Sequence, residues 1–290
     1  MVYMKKRPLV TISIPTLNSE KYIKRCISAI RTQNYKNIEI NIVDGGSKDL
    51  TLEVARDMGV ENIYIDKKSL LSARYCGVMN AKGKYVLLLD SDQIIEKDTI
   101  DNAIKCLEKN HNKMLILGED VYSDKTFLEH LIKLDKKLIH LVKDIDPYTS
   151  VLLPRFFDRK FLVKVFKRVP RPVIEEARPQ DHAIIYLESW LLDKNVGVID
   201  NCIKHIEPRT FLQFFNKFYR WGYGSITKHH SKYDQFFKER TERLRNGMLK
   251  DGMIKESLAS VFLLIIKGIS YHLGYIQAKL DCYFNKVLNK

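Results

Sequence analysis

Hydrophobic and polar positions change period along this chain, and the changes mark its elements. Over the first 120 residues, short apolar, β-branched runs alternate with helical stripes. Leu9–Pro15 (LVTISIP), Ile38–Val43 (IEINIV), Val60–Ile65, Lys84–Leu89 (KYVLLL) and Met114–Leu117 read as strands of a buried parallel sheet. Between the first two, Tyr22, Ile23, Cys26, Ile27 and Ile30 recur at helical spacing, with Asn18 or Ser19 as the cap. A second helix runs to about Met58 and stops at Gly59, a third spans Ser69–Ala81 and ends near Gly83, and a fourth covers Lys97–Asn110. This order predicts a mostly parallel, Rossmann-like sheet flanked by helices on both faces.

From 120 to 210 the pattern is interrupted by Pro147, Pro154, Pro170, Pro172 and Pro179. It leaves one clear helix, Asp181 to about Leu192, and a short strand, Val196–Ile199. Beyond Pro208 the chain turns helical and aromatic. Phe211, Phe214, Phe215 and Phe218 share a face, with Tyr219, Trp221 and Tyr223 alongside. A last helix, from about Ser257 to Leu280, carries the stripe Leu258, Val261, Phe262, Ile265, Ile269, Leu273 and Ile276, while Ser260, Lys267, Ser270, Gly274 and Gln277 face away. Only the run Ser257–Ile266 is uncharged before Lys267, short of the roughly 18 residues of a spanning helix. The stripe either packs on the domain, as an ordinary amphipathic helix does, or lies in a membrane interface. The aromatic segment, with Lys217 and Arg220, has the make-up of an interfacial anchor.

Composition narrows the class. With 290 residues, 45% apolar and 29% charged, the chain has enough apolar material for a sizeable core, which excludes collagen-like, low-complexity and disordered classes. Its five cysteines are scattered without a CxxC pair, which argues against a disulfide framework or structural zinc and for a reducing compartment. The start, MVYMKKRPLV, lacks the apolar core of a secretory signal, so a cytoplasmic location is expected. The net charge of +14 is uneven, since residues 211–290 carry 14 Lys/Arg against 6 Asp/Glu. A second basic cluster runs from Arg155 to Arg171. Such patches suit nucleic acid, anionic lipid or a phosphorylated ligand, or they are solvated surface.

In a parallel α/β sheet, ligands bind outside the carboxyl ends of the strands. The segments there are Pro15-Thr16-Leu17-Asn18, Asp44-Gly45-Gly46-Ser47 and Asp90-Ser91-Asp92-Gln93. No GxGxxG or GxxxxGK[ST] follows any strand, so phosphates need another device. Two carboxylates at i and i+2 after a buried strand suggest a hard divalent metal bridging phosphate oxygens.

Taken in order, VTISIPTLNSEKYIKRCISAI, IEINIVDGGSKD, SARYCGVMNAKGKYVLLLDSDQ and PQDH resemble the family 2 glycosyltransferases of GT-A fold. The resemblance is strong from Leu9 to about Gly118, weaker to about His205 and absent as motif beyond. It implies a catalytic domain over 1–210, with a donor half to 118 and an acceptor half after it; beyond it, the aromatic helical pattern and the charge make 211–290 a helical, basic C-terminal extension suited to membrane association. The resemblance implies a nucleotide-diphosphate sugar of UDP or GDP type as donor and Mn²⁺ or Mg²⁺ as cofactor. Thr16 and Asp44 match positions that hold base and ribose, within a donor-binding set that adds Pro15, Asn18, Glu20, Gly45, Ser47 and Ser91. Arg74 matches an arginine near the base or diphosphate. Asp90 and Asp92 match the metal motif, and His205 a histidine near the metal or diphosphate. Gln93 stands where many members have another acid.

For inverting displacement, Asp181 matches the second acid of a Glu-Asp motif and is the expected base, taking the acceptor's proton. Gln180 replaces the first acid of that motif, and Glu175 and Glu176 are rivals. The structural alternatives are that Asp44 closes a turn, Ser47 caps a helix, Arg74 lies on a surface, the Asp90/Asp92 pair caps the next helix, and Asp181 merely favours a helix dipole. The basic C-terminus points to a peripheral protein of the cytoplasmic face, with an anionic membrane surface as partner and a glycan or lipid-linked acceptor. A GT-A-like nucleotidyltransferase is a second reading, but PTLNSEK lacks its Gly-rich basic loop. A nucleic-acid-binding module is a third, but carboxylates after the strands would repel phosphate, so no nucleic acid is expected.

Overall fold

In the computed structural model, which describes residues 7–140, 145–150, 152–177, 180–225, 231–245 and 252–288, one fully buried strand organises the domain. Residues 1–6, at the start of the segment read for a secretory signal, and the breaker Pro179 lie outside the described residues. The first half runs β1 (Val10–Thr16), α1 (Glu20–Arg31), β2 (Ile38–Asp44), α2 (Thr51–Asp57), β3 (Asn62–Ile65), α3 (Leu70–Met79), β4 (Tyr85–Leu88), β5 (Gln93–Ile95) and α4 (Thr99–Lys109). The second half runs β6 (Met114–Val121), α5 (Phe127–His140), β7 (Pro154–Asp158), α6 (Arg159–Arg168), α7 (Arg171–Glu176), α8 (Asp181–Leu192), β8 (Val196–His205), α9 (Phe211–Tyr223), α10 (Ser231–Arg245) and α11 (Ile254–Leu288).

The eight strands form one sheet in the order β3-β2-β1-β4-β7-β6-β8-β5. β1 pairs in parallel with β2 and β4, and β2 with β3, as the alternating pattern predicts. Side chains alternate across the sheet and feed a core on each face. Leu87 and Phe156 join Ile12, Ile14, Ile27 and Ile100 on one side, whereas Val86, Leu88 and Phe157 join Leu71, Leu162 and Ile184 on the other. The mixed α/β architecture expected from the sequence is the one observed.

Its second half differs in detail. β7 lies antiparallel between β4 and β6, pairing Leu87 with Phe156 and Met114 with Phe157. The segment expected as a basic patch therefore starts as a core strand, too short at PRFFD to show a period. Its cations are largely engaged: Arg159 donates to the Gly83 carbonyl, Arg168 pairs with Glu188, and Arg171 with Glu175. β6 and β8 both outrun the predicted Met114–Leu117 and Val196–Ile199, because a register shift after Leu117 and the left-handed Asn201 break their alternation. After Asp90-Ser91-Asp92 comes β5, not a helix, so these acids cap nothing; α4 starts later, with Asp98 at its N-cap.

The final helix corrects an expectation more sharply. α11 is longer than predicted, and it turns Ser260, Ser270, Gly274 and Leu263 inward, while Gln277 is exposed. Ser260 Oγ donates to Asp135 Oδ1 at 2.6 Å, Lys267 Nζ lies 2.9 Å from Asp135 Oδ2, and Ser270 is buried. All seven stripe residues from Leu258 to Ile276 are exposed instead of packed on the domain. By length and composition alone α11 could cross a membrane, since the segment Ile254–Phe284 reaches a mean hydropathy of 1.4. On α9, Phe214 is buried while Phe211 is exposed, so the expected aromatic face is split.

Two glycines set the crossing of α9 and α11. A Cβ on Gly222 would sit 1.9 Å from the Tyr271 carbonyl oxygen, and one on Gly274 would sit 2.0 Å from that of Tyr219. Neither backbone can yield without separating the helices. Gly222→Ala or Gly274→Ala should each destabilise the chain by about 1–3 kcal/mol. Urea unfolding checks this, and wild-type midpoints for both would contradict the close packing.

Candidate active site

The carboxyl ends of β1 and β2 are zipped together by their own loops. Asp44, fully buried, accepts from Thr16 Oγ1 at 2.9 Å, Gly46 N at 2.8 Å, Ser47 N at 2.7 Å and Ser47 Oγ at 2.5 Å. These four bonds fill a carboxylate's lone pairs, so a nucleobase N–H would have to replace one, and the Thr16 and Ser47 hydroxyls are the two donors that can rotate away. Asn18, in the left-handed region at φ 51, donates its N–H to Ser47 Oγ and accepts from Lys48 N. Gly45 N donates to the Thr16 carbonyl, and Glu20 accepts from Leu50 N just ahead of α2. Ser47 thus ties the loop to Asp44 rather than capping a helix. Pro15 lies in β1 beside Val43. Ser91 Oγ, from the loop after β4, donates to Ser19 Oγ at 2.9 Å, which joins the third segment to the first.

Beyond this loop cluster lies a chain of charges that few of the sequence signals marked. Arg74, on α3, is 1% exposed, which removes the surface reading. Its Nε donates to Asp181 Oδ2, and its Nη2 to Asp90 Oδ1 at 2.6 Å. Arg155 completes the bridge, with Nη1 3.0 Å from Asp90 Oδ2 and Nε 2.7 Å from Glu119 Oε1. Asp181 is therefore a buried partner of a buried arginine, not an exposed acid at a helix end. Its rival Glu175 is drawn outward by Lys68 at 2.6 Å and Arg171 at 2.8 Å.

Protonation follows from these contacts. Burial alone would raise Asp90, but the guanidinium groups of Arg74 and Arg155 outweigh it and hold the carboxyl well below the usual range. Burial likewise opposes ionisation of Asp181, and Arg74 reverses the effect. Glu119 is brought down to about 2, because Arg155 and Lys136 overcome its burial. His182 moves to about 3, pushed by burial and by Arg74 and Arg155, so it is neutral. Since arginine only donates, His182 Nε2 accepts from Arg155 Nη1 at 3.0 Å and the proton sits on Nδ1. Arg74 Nη1 and His182 Nδ1 are then two buried donors without a protein acceptor among the described residues.

At the other end, β5 runs antiparallel to β8 and places Gln93 opposite His205. His205 Nε2 lies 3.4 Å from Asp92 Oδ1, and Nδ1 lies 2.8 Å from Glu207 Oε1. Burial would lower this imidazole, but Asp92 and Glu207 raise it to about 9. Lys217 of α9 approaches Glu207 at 3.5 Å, and Lys136 lies 2.9 Å from it. Gln93 is buried, accepts from Asp90 N and donates to Glu119, so it braces the loop instead of replacing a ligand acid.

Among the described residues no three His, Cys, Asp or Glu side chains close around one point. The arrangement is an open one. The Asp92 carboxylate is a third exposed, and His205 is its one side-chain partner among the described residues. An oxygen with a neighbouring imidazole suits a divalent cation whose other ligands come from phosphate, and the two unpaired donors suit the phosphate itself. The residues therefore fit both groups.

The site thus gathers Thr16, Asp44 and Ser47 at one end, Arg74, Asp90 and Asp181 at the centre, and Asp92 with His205 at the other. Arg155, Glu119, His182, Glu207 and Lys217 were not anticipated as members. For Arg155 the available signal was its place beside buried aromatics in PRFF, and for His182 its place in PQDH itself; Glu119, Glu207 and Lys217 had only their proximity in sequence to Gly118, His205 and Trp221.

The fold is that of a GT-A-type glycosyltransferase domain. The family model described as glycosyl transferase family 2 matches residues 11–167, and the chain belongs to that family. An uncharacterized glycosyltransferase of Rickettsia prowazekii is 36% identical over 134 residues, covering 45% of this chain and 42% of the relative. The chain thus spans less than half the length of that relative. Glycosyltransferase GlyG of Streptococcus pneumoniae is 30% identical over 207 residues, covering 67% of this chain and 69% of the relative. Among solved structures, S. aureus TarS 1-349 in complex with UDP-GlcNAc superposes with a TM-score of 0.55 at 16% identity, covering 88% of this chain and 79% of that one. Mannosyltransferase PcManGT from Pyrobaculum calidifontis, in complex with GDP-Man and Mn²⁺, gives 0.54 at 16% identity, covering 97% and 80%.

Glu119 tests the charge chain without touching the expected reacting groups. Its folded value near 2 lies below the ordinary 4.5, so its contribution is present above 4.5 and fades as pH falls toward 2. Glu119→Gln should cost about 1–3 kcal/mol at pH 7 and flatten the stability loss across that acid window. Denaturant unfolding at several pH values measures both. An unchanged acid slope would show that Glu119 is not held ionised by Arg155.

Proposed function

We propose that this chain transfers a sugar, with inversion, from a nucleotide-diphosphate sugar of UDP or GDP type to an acceptor hydroxyl or phosphate. The observation that carries the reading is Arg74: one buried guanidinium joins the acid after β4 to the acid that opens α8, and keeps one donor unpaired. A diphosphate suits that donor, with His182 Nδ1 as a second. Thr16, Asp44 and Ser47 would then hold base and ribose, beside Pro15, Asn18, Gly45 and Ser91, with Asp90 reaching the ribose. Glu20 braces the loop that carries them.

Asp92 and His205, with Asp90, would hold a divalent cation, Mn²⁺ or Mg²⁺, which when bound neutralises charge on the leaving diphosphate. His205 would give up its proton to serve as a ligand. Asp181 is the proposed base. While Arg74 holds it, its basicity is low; once the guanidinium turns to the diphosphate, the carboxylate loses a cation and its affinity for a proton rises. The acceptor O–H proton passes to Asp181, the new bond forms at the anomeric carbon, and the nucleoside diphosphate leaves from the opposite face. The basic, apolar C-terminal helices favour a lipid-linked or membrane-bound acceptor, reached from the cytoplasmic face. Family membership favours this reading over a nucleotidyltransferase or a nucleic-acid module.

A panel of nucleotide sugars scored for diphosphate release with Mn²⁺ and Mg²⁺ tests the proposal, and no release from any donor with either ion would sink it. Asp92→Ala should abolish the extra thermal stabilisation that UDP or GDP gains from Mn²⁺. Asp181→Asn should keep that stabilisation and lose about 10²–10⁴-fold in turnover. Wild-type turnover in Asp181→Asn would reassign the base.

A further inference from the structure

An amphipathic helix of a water-soluble domain hides its apolar stripe; α11 does the reverse. Between residues 257 and 278 its one charged residue, Lys267, points inward to Asp135. Ile265 and Ile269 stand 56% and 55% exposed on the opposite side. The outward strip runs from Ile254 to Phe284, about 45 Å at 1.5 Å per residue. It continues onto α9, where Phe211 meets Phe262 edge-on with ring centroids 6.1 Å apart and Leu212 is exposed. A patch this long exceeds what a solvated monomer surface carries.

We propose that this α9–α11 face is a docking surface for an anionic lipid bilayer, lying along the membrane rather than across it. Charge names the occupant. The two acids of α11 are both turned to protein partners, Glu256 to Lys137 at 2.9 Å and Asp281 to the Tyr223 hydroxyl at 2.9 Å. Lys255 and Lys279 remain exposed toward the two ends of the apolar strip. A strip with cations near its ends and its acids withdrawn complements an anionic leaflet. A second copy of the chain suits it less well, because either orientation of two such strips sets lysine against lysine with no acid to answer it. The packing excludes a spanning pose. α11 is joined to α5 and α9 from Glu256 to Asp281, and a helix bound along that length to a charged domain cannot be surrounded by hydrocarbon.

The surface deepens the proposed function and rests on it only for the acceptor. Lys217, which approaches Glu207 in the cleft, lies on α9 with its ammonium 5.8 Å from the Trp221 ring centroid, and Trp221 is exposed. The cleft and the docking face are thus joined by one helix, which would present the active site to lipid-borne acceptors.

Flotation of the full chain tests the surface, using vesicles of equal parts phosphatidylglycerol and phosphatidylcholine against phosphatidylcholine alone. The wild type should float with the anionic vesicles and less with the neutral ones. I265D/I269D alters two exposed positions and should lower the bound fraction by about tenfold or more, with an unchanged unfolding midpoint. K255E/K279E should bring anionic binding down to the neutral level. Wild-type protein left in the aqueous fraction with both vesicles would overturn the proposal. So would a wild-type dimer that I265D/I269D converts to monomer without any vesicle binding. Nucleotide-sugar cleavage in vesicle-free buffer separates the two readings: I265D/I269D should match the wild type there. Cleavage without flotation sinks the surface alone, whereas flotation without cleavage by either protein sinks the transferase reading alone.

Discussion

A guanidinium buried to 1% exposure cannot remain in a protein interior without carboxylates, and Arg74 obtains them from two places remote in sequence. That requirement fixes the geometry of the cleft. The N–H bonds of Nε and Nη2 lie in the guanidinium plane and point in set directions, so α8 and the loop after β4 must stand on particular sides of α3. A lysine would supply one point charge and leave their separation free. Arg155 repeats the device one step further, tying Asp90 to Glu119 on β6. Two arginines thus hold together the half of the sheet that is parallel and the half that is mixed.

The sequence made the first half legible because each signal there is local. Strands β1 to β4, four or seven residues long and mostly apolar, end in polar segments, and the strand ends and turns carry Thr16, Asp44, Asp90 and Asp92, all of which the fold brings to one edge. In the second half the signals fail for physical reasons. β7 is five residues long, begins with proline and alternates too briefly to be seen. β8 changes register at its bulge, so only its first four residues look like a strand. Arg155 and Lys136 look like surface cations in a chain of charge +14, and only the carboxylates they meet show otherwise.

α11 shows a different limit. Periodicity reveals that a helix has two faces, but not which one meets the protein. Here the deciding residues are the small ones. Gly274 and Ser270 permit approach where a large side chain would block it, and Gly222 on α9 answers them. Where backbones come that close, bulky residues are left to the outer face, and Leu263 alone among the large apolar residues described in α11 is fully buried, against Val121, Leu128, Ile132 and Phe214. The inversion is therefore a consequence of close packing by glycine, together with Asp135, which draws Lys267 inward.

The charge chain also bears on what the cleft can accept. Its carboxylates, Asp181, Asp90, Glu119, Glu207 and Asp92, are matched by Arg74, Arg155, Lys136, Lys217 and a protonated His205. A nucleotide-diphosphate sugar brings about two further negative charges into a cluster already balanced. If Arg74 turned from Asp181 to the diphosphate, the sum would stay unchanged while the proposed base lost its counter-ion. Neutrality then has to come from outside the protein. A divalent cation held by Asp92 would supply it where the carboxylate is most exposed and where His205 could lose a proton, without consuming the guanidinium that would free Asp181. On this reading, donor and cation binding are coupled by charge, and base activation follows from the same rearrangement.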